Sequence, residues 1–391
     1  MIVRYAPRRK ILITIAKEKS ARGDLIAVSR CKDSIEKTFL KKGIQPEVFF
    51  IKKSDFQNTS RLKEKISNIN PFCVFNLFEG FSKDPGKEAV FVELLESAKI
   101  PFTGNGSFAL FSCLDKMKAK SILEKNNLPV ARGILVKKSK QRIMQNFTHE
   151  PARQRRTVKG SLKQSETSES KEATAARLAS SAKRVGALSF TFPLFVKPCA
   201  DDGSCGIHKD SLVHNKEELF SAIKKRRKYF PEGLIIEEFL PGKEYSVAFI
   251  GNNHYEVLGI SEIDYSRCKG FLPGHKRGMK GRFEIAPFLT YEAKWKNKTL
   301  DYHLTMPDYK PKIRKNLRNK IISLARKAAK ALGCRGYFRV DLREASGALF
   351  IIDVNPNPDI NIDSGYIKLA YNKGYTYGAI IGKIVRLSNY H

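Results

Sequence analysis

The sequence predicts an α/β protein in which a βα unit at the N-terminus precedes a larger region of mixed strands and helices. Three observations predict this. Residues 1–113 alternate buried-strand and helix patterns, as a βα unit does. Near the C-terminus, two apolar segments flank a turn signal and read as a β-hairpin that gathers polar residues on one face. Between these regions, residues 138–190 lose the apolar patterning of a folded core.

The elements follow in order. Residues 11–15 and 73–78 are apolar runs that read as buried parallel strands. Residues 87–98 place Val90, Leu94, Leu95 and Ala98 at helical spacing. A helix over 115–126 follows, with Asp115 as its N-cap. In 138–190, twelve Lys and Arg stand against four Glu, a local balance of 12 − 4 = +8. A structureless loop of that length is uncommon inside a domain, so the segment reads as a mobile basic insertion with one helix near 171–185. It reads as a tolerated linker in preference to a recognition arm, because it carries no specific binding signature. Regular patterning resumes with a strand over 193–197 that ends in Lys197, and the glycine-bearing turn Asp201-Asp202-Gly203-Ser204-Cys205-Gly206 follows. A basic amphipathic helix spans 216–229. Strands over 234–239 and 244–250 are separated by Leu240-Pro241-Gly242. A long helix over 313–332 packs through Leu317, Ile321, Leu324, Ala328 and Leu332.

Composition bounds the function. A chain of 391 residues has room for two or three domains. The seven cysteines are scattered and lack CxxC spacing, so neither a zinc site nor a disulfide framework is indicated. The apolar run from Ile11 to Ala16 is too short for a signal-peptide core, and no stretch reaches the length of a membrane span. These features predict a soluble, cytoplasmic protein. The net charge of +33 suits an anionic partner, such as nucleic acid, an acidic surface or a phosphorylated substrate. It equally suits a Lys-rich solvated surface, which the even spread of the excess favours. The oligomeric state stays open, a homodimer included.

The C-terminal hairpin carries the chemistry. Strand residues two apart share a face. Arg339 therefore points with Asp341, and Asp353 with Asn355, across the turn at Ala345-Ser346-Gly347. Two carboxylates and an amide oxygen are hard ligands for magnesium, and the guanidinium is a fork-shaped donor for phosphate. Asp and Asn are also common turn formers at strand ends, so the hairpin alone does not decide. Other motifs precede it in fixed order: Gly104-Asn105-Gly106 with Asp115-Lys116, the strand ending at Lys197, the 201–206 turn, Ile236-Glu237-Glu238-Phe239-Leu240 with Glu244, and Tyr291-Glu292-Ala293-Lys294-Trp295.

In this order and spacing the chain resembles the ATP-grasp superfamily, and is most similar to the D-alanine–D-alanine ligases, over about residues 70–135 and 190–390. The resemblance implies an α/β ATP-grasp fold, two α+β subdomains clasping ATP behind a βα domain. The divisions fall at 1–113, 114–240 with the 138–190 insertion, and 241–391 with the metal ligands. It implies that Lys116 and Lys197 contact phosphate, and that Gly203 and Ser204 belong to the loop covering the phosphates. Glu237 accepts from the adenine amine, the Phe239–Leu240 backbone meets the ring, and Glu244 binds the ribose hydroxyls. Lys294 closes over the γ-phosphate. Asp341, Asp353 and Asn355 hold Mg2+, two ions in the family pattern, with Mn2+ as a substitute. Arg339 faces the transferring phosphoryl group and, with Lys294 and Ser204, forms the catalytic set. Ser364 falls on the serine that binds the substrate carboxylate, and Glu79 stands on the substrate side.

The chain departs from the family at several positions. Glu238 stands where a lysine is frequent, and Asp353 where Glu is usual, an arm shorter by about 1.5 Å. Asp359 replaces a glycine, and Glu79 stands where the ligases tend to have histidine. Glu18 is an ambiguous match to the glutamate that holds the first ammonium. The implied activity is that of an ATP-dependent carboxylate–amine ligase working through an acyl phosphate on amino-acid or peptide substrates. Two alternatives stand beside it. One is a nucleotide-dependent binding protein with a basic surface for an anionic polymer. The other is a degenerate homologue that binds ATP without turnover.

Overall fold

The structure, a computed structural model, describes residues 10–18, 23–137, 190–201, 203–272, 281–296 and 298–388. The basic insertion, with its expected helix near 171–185, lies outside the described residues except for Phe190. Strand β1 (Ile11–Ala16) is the centre of a parallel sheet of order β2-β1-β3, with β2 (Pro46–Ile51) and β3 (Cys73–Asn76) on either side. Helices α1 (Gly23–Leu40) and α2 (Thr59–Ile69) make the connections. β3 stops at Asn76, two residues before the expected end. There the Asn76 side-chain oxygen accepts from the Phe78 N–H at 3.2 Å, a local bond that competes with the strand ladder.

The sheet is covered on both faces. Leu12 and Val74 pack with Phe91 and Leu95 of α3 (Lys87–Ser97), a helix the apolar spacing predicts. Ile11, Ile13 and Ile15 face the other way, onto Ile380, Ile381 and Ile384 of the C-terminal helix, Tyr377–Leu387. The end of the chain therefore completes the core of its beginning. Helix α4 (Ser107–Leu114) leads into α5 (Lys116–Lys125), whose cap is Asp115 as expected; its carboxylate accepts from the Met117 and Lys118 amides. The Gly104–Asn105 corner joins this region to the C-terminal hairpin. Asn357 Oδ1 accepts from the Asn105 backbone amide at 2.8 Å. Gly104 lies at φ +93°, and a Cβ there would sit 2.3 Å from that oxygen, so only glycine permits the approach.

Two antiparallel sheets make the rest. One has the order β4-β7-β5-β6: Gly133–Val136, Leu234–Glu238, Leu194–Pro198 and Leu212–Val213. Leu219, Ala222 and Ile223 of α6 (Lys216–Arg226) cover its apolar face. The other has the order β13-β12-β8-β9: Ala348–Pro356, Tyr337–Ala345, Glu244–Ile250 and Glu256–Ile263. Its apolar face carries Val247, Phe249, Phe338, Val340 and Leu342, packed on Ile321, Ala325 and Ala328 of the long helix Lys315–Ala331. The chain passes from the first sheet to the second through residues 239–243, so the two strands that flank Leu240-Pro241-Gly242 belong to different sheets. A two-stranded ribbon, β10 (Lys269–Leu272) with β11 (Gly281–Glu284), lies between β9 and the short helix Tyr291–Trp295 in sequence. Among the described residues no helix is long and apolar enough to cross a membrane, and no disulfide forms.

Candidate active site

The expected hairpin is present, and its register is the basis of the site. Ser346 and Gly347 at φ +51° and +78° turn β12 into β13. Arg339 pairs with Asn355, and Asp341 with Asp353. Directly opposed residues share a face, so all four lie together. On the other side of β12, Arg343 pairs with Glu244 and Asp341 with Ser246. With Val340 and Leu342 hidden in the core, the opposite face of the strand turns a polar row toward the first sheet. That sheet contributes Phe195, Lys197 and Glu237, which its own register also places on one face.

Between the two sheets lies a cavity of about 400 Å³. It brings together Lys116, Lys197, Gly203, Ser204, Glu237, Phe239, Leu240, Glu244, Lys294, Arg339, Asp341, Asp353 and Asn355. Those are the residues expected for nucleotide and metal. One end is an apolar slot: the Phe195 and Phe288 rings meet edge to face at 4.9 Å, with Phe239 6.2 Å from each. The other end is charged. Lys116 Nζ donates to the Asp201 carbonyl at 2.7 Å, tying the helix cap to the glycine loop. In that loop Gly203 and Ser204 take φ +65° and +61°, the left-handed region that favours glycine. The Trp295 indole donates to the Gly203 carbonyl at 2.9 Å, and Lys294 lies over the Trp295 ring.

Ser364 and Glu79 do not line this cavity. They line a second one, of about 1190 Å³, between the N-terminal sheet, the hairpin and the glycine loop. Ser364 caps the helix Gly365–Asn372, its Oγ accepting from the Ile367 amide. The two cavities share Asp201, Gly203, Lys294, Arg339, Asn355 and Gly365.

Several electrostatic details differ from the expectation. Glu237 is 5% exposed, with one oxygen 2.7 Å from Lys197 and the other 2.7 Å from Lys120. Burial alone would raise its pKa, but the two ammonium groups lower it to about 2. Its carboxylate serves as the counter-ion of two lysines, in place of the open acceptor expected for adenine. Burial lowers the Lys120 pKa, and Glu237 opposes the shift. Arg339 is bound to Asp341 through two bonds of 2.8 and 2.7 Å, and Asn355 Nδ2 donates to the same carboxylate at 2.9 Å. Burial works against the Arg339 charge, but Asp341, then Asp353 and Glu244, hold its pKa above the ordinary value. Glu244 accepts from the Tyr265 hydroxyl at 2.8 Å and lies 3.5 Å from Arg343. Its pKa is raised, first by burial. Glu238, the charge-reversed position, pairs with Arg132. Glu18 accepts from Ser82 at 2.9 and 2.7 Å and lies 3.2 Å from Lys53, and it does not line either cavity.

Among the described residues, no three His, Cys, Asp or Glu side chains converge on one point. The hairpin donor set is two carboxylates and an amide. That set fits magnesium, which takes few protein oxygens and keeps its remaining positions for water and phosphate.

The family model described as D-ala D-ala ligase C-terminus matches residues 163–386, more than half of the chain. The chain belongs to this family. A D-alanine–D-alanine ligase of Carboxydothermus hydrogenoformans is 26% identical over 360 residues, 92% of each chain. An uncharacterized protein of Sinorhizobium fredii is 31% identical over 199 residues, and there the match spans about half of either chain, 51% and 52%. The D-alanine–D-alanine ligase of Bacillus anthracis, solved in complex with ATP, has a TM-score of 0.62 at 17% identity over 97% of each chain. That likeness shows the ATP-grasp fold.

In this ligase-family site, two further residues stand out beside those read from sequence. Lys120 is one helical turn from Lys116, so the i,i+4 spacing was a usable signal. Arg343 follows Asp341 by two residues on the same strand face. It lies 5.2 Å from the Phe239 ring centroid and 4.4 Å from that of Tyr265, is 5% exposed, and its Nε finds no partner among the described residues.

Proposed function

We propose that the chain is an ATP-dependent carboxylate–amine ligase, and that the two adjoining cavities are its nucleotide and acceptor sites. The observation that carries the reading is the convergence of an apolar slot, three lysines, a glycine loop and the hairpin carboxylates on one cavity. The adenine ring lies against Phe195, Phe239 and Phe288, with the triphosphate toward Lys116, Lys197 and Lys294. A carboxylate in the larger cavity meets the γ-phosphate at the shared border, beside Arg339 and Asn355. Its oxygen attacks the γ-phosphorus, the bond to the bridging oxygen breaks, and ADP leaves with the electron pair. An amine then attacks the acyl carbon and expels phosphate.

The first step brings two anions together. Each charge pair at 4 Å costs about 4 kcal/mol at an effective dielectric near 20. Preorganised cations remove that cost without reorganising at the moment of reaction. Arg339 stands at the junction of the cavities, and Lys294 closes from the short helix on the other side. Asp341, Asp353 and Asn355 would hold magnesium, which supplies further neutralisation of phosphate charge when bound. Ser364, at a helix N-terminus in the acceptor cavity, suits the carboxylate of the second substrate.

The test is phosphate release from ATP with magnesium, measured against a panel of amino acids, dipeptides and other carboxylates. Release that requires both a carboxylate and an amine is expected. ATP turnover indifferent to every pair would refute the ligase reading. Steeply salt-dependent retention on nucleic acid in that event would favour the binding-protein alternative.

A further inference from the structure

The smaller cavity contains a buried polar cluster that the phosphate steps do not use. Glu244 opens β8, with Arg343 of β12 opposite it on one side and Ile263 of β9 on the other. Two residues past Ile263 the chain enters the short turn Tyr265–Cys268, which brings the Tyr265 hydroxyl to 2.8 Å from Glu244. Arg343 Nη1 lies 3.5 Å from the same carboxylate, and Arg343 Nη2 donates to the Pro287 carbonyl. The guanidinium also lies over two rings, 4.4 Å from the Tyr265 centroid and 5.2 Å from that of Phe239 in the apolar slot. Glu244, Tyr265 and Arg343 are all buried.

Both contacts to Glu244 end on one oxygen, Oε2. Oε1 has no hydrogen-bond partner among the described residues, and Glu244 lines the cavity. An ionised carboxylate only accepts, so a free oxygen there calls for a donor on the ligand. The neighbouring acids are already engaged. Glu237 is the counter-ion of Lys120 and Lys197, and Glu238 pairs with Arg132. Burial raises the Glu244 pKa, and the Arg343 charge and the Tyr265 hydroxyl oppose the rise.

The cluster is incomplete as a purely structural one. Arg343 Nε is buried without a partner among the described residues. A partly satisfied buried network is worse for stability than apolar side chains in its place, and such costs gather at functional positions. Its location is the second observation. Arg343 lies over Phe239, and Pro287, its acceptor, directly precedes Phe288, so the cluster is built against the wall of the apolar slot.

We propose that Tyr265 and Arg343 are positioning residues for the nucleotide sugar: they hold Glu244 through Oε2, keep it charged and leave Oε1 to accept from the ribose hydroxyls, so that the site selects ribonucleotides over deoxyribonucleotides. The family resemblance places Glu244 at the ribose. It does not supply how a carboxylate this buried is kept ionised and fixed in rotation, and the Tyr265 hydroxyl and the Arg343 guanidinium do both. The inference rests on the nucleotide reading of the smaller cavity and adds to it the residues that set sugar selectivity.

The test is calorimetric titration of ATP, 2′-deoxyATP and 3′-deoxyATP, each with magnesium, into the intact wild type, Tyr265→Phe and Arg343→Met. The wild type is expected to bind at least one deoxy analogue about tenfold or more weakly than ATP. In each variant ATP affinity is expected to fall toward that of the analogue, while the analogue's own affinity changes by no more than about twofold, because the lost interaction is one the analogue never made. A merely structural role would weaken all three nucleotides alike and leave their ratios unchanged. Equal affinities in the wild type, or ratios unchanged in the variants, overturn the proposal. Tyr265→Phe removes a single oxygen and decides alone if Arg343→Met does not fold. Absence of binding by every nucleotide refutes the nucleotide site itself, and this proposal with it, whereas tight ATP binding without sugar selectivity refutes this proposal alone.

Discussion

Glu237→Gln probes the buried charges that line the smaller cavity. In the native protein one carboxylate lies 2.7 Å from each of two ammonium groups, Lys120 and Lys197, and all three residues are under 10% exposed. A carboxyl whose pKa falls from 4.5 to about 2 on folding contributes about 3 kcal/mol at neutral pH. Breaking a buried ion pair by removing one partner costs about 3–5 kcal/mol, in agreement. The folded pKa is the depressed one, so this contribution is complete above 4.5 and is lost as the pH falls toward 2. Thermal unfolding at neutral pH should show the variant melting about 4–6 °C lower. Its acid limb between about pH 4.5 and 2 should be shallower than that of the wild type. The amide leaves two ammonium groups facing each other, and phosphate can answer them, so saturating ATP should raise the variant's Tm more than the wild type's. A variant that melts within about 1 °C of wild type with an unchanged acid limb would refute the reasoning.

Two further outcomes are accessible with simple assays. Arg339→Ala is expected to lower kcat by about 10²–10³-fold while nucleotide affinity changes only a few-fold, because the side chain sits where the cavities meet and not at the base slot. Affinity can be read from Trp295, the one tryptophan of the chain, whose indole is bound to the glycine loop. Gly206→Ala is expected to weaken ATP binding about tenfold and to change that fluorescence, since φ is +72° and a Cβ would meet the Phe230 ring at 2.5 Å and Pro198 at 2.7 Å.

The parts of the site legible in the sequence are those written in local periodicity. The hairpin could be read because two apolar segments with polar residues at their ends flank the turn signal Ala345-Ser346-Gly347. The cap at Asp115 could be read because capping is settled within four residues. The extent of β3 was misjudged because apolar residues continue to Phe78, while the Asn76 side chain ends the ladder earlier. Contacts over long separations left no such trace. Nothing near Glu237 indicates Lys120, 117 positions earlier, as its second cation. Nothing in residues 377–387 indicates that their apolar stripe covers Ile11, Ile13 and Ile15. Glu18 looked like a candidate for ammonium because its partners, Ser82 and Lys53, are distant in sequence. Family resemblance supplied the nucleotide roles, and it could not supply what Glu79 and Asp359 do, because those positions depart from it.

The register of the hairpin sets Asp341 directly opposite Asp353. Opposed like charges across an antiparallel pair, with Cβ atoms about 4.5–5.5 Å apart, destabilise a sheet. Arg339 relieves part of the repulsion by gripping Asp341. A sequence under selection for stability alone would not keep both acids, and conflicts of this kind gather at functional sites. A divalent cation held by Asp341 and Asp353, as proposed above, would resolve the conflict. Asp353→Asn should then stabilise the protein slightly in the presence of a chelator, by roughly 0.2–1 kcal/mol. It should also reduce the rise in Tm that magnesium and ATP together produce, and lower turnover. Stability without metal and response to metal would thus move in opposite directions, a pattern that neither lost packing nor a lost hydrogen bond produces. A variant that melts below wild type in chelator, yet responds equally to magnesium and ATP, would place Asp353 outside the metal site and leave its opposition to Asp341 a structural accident.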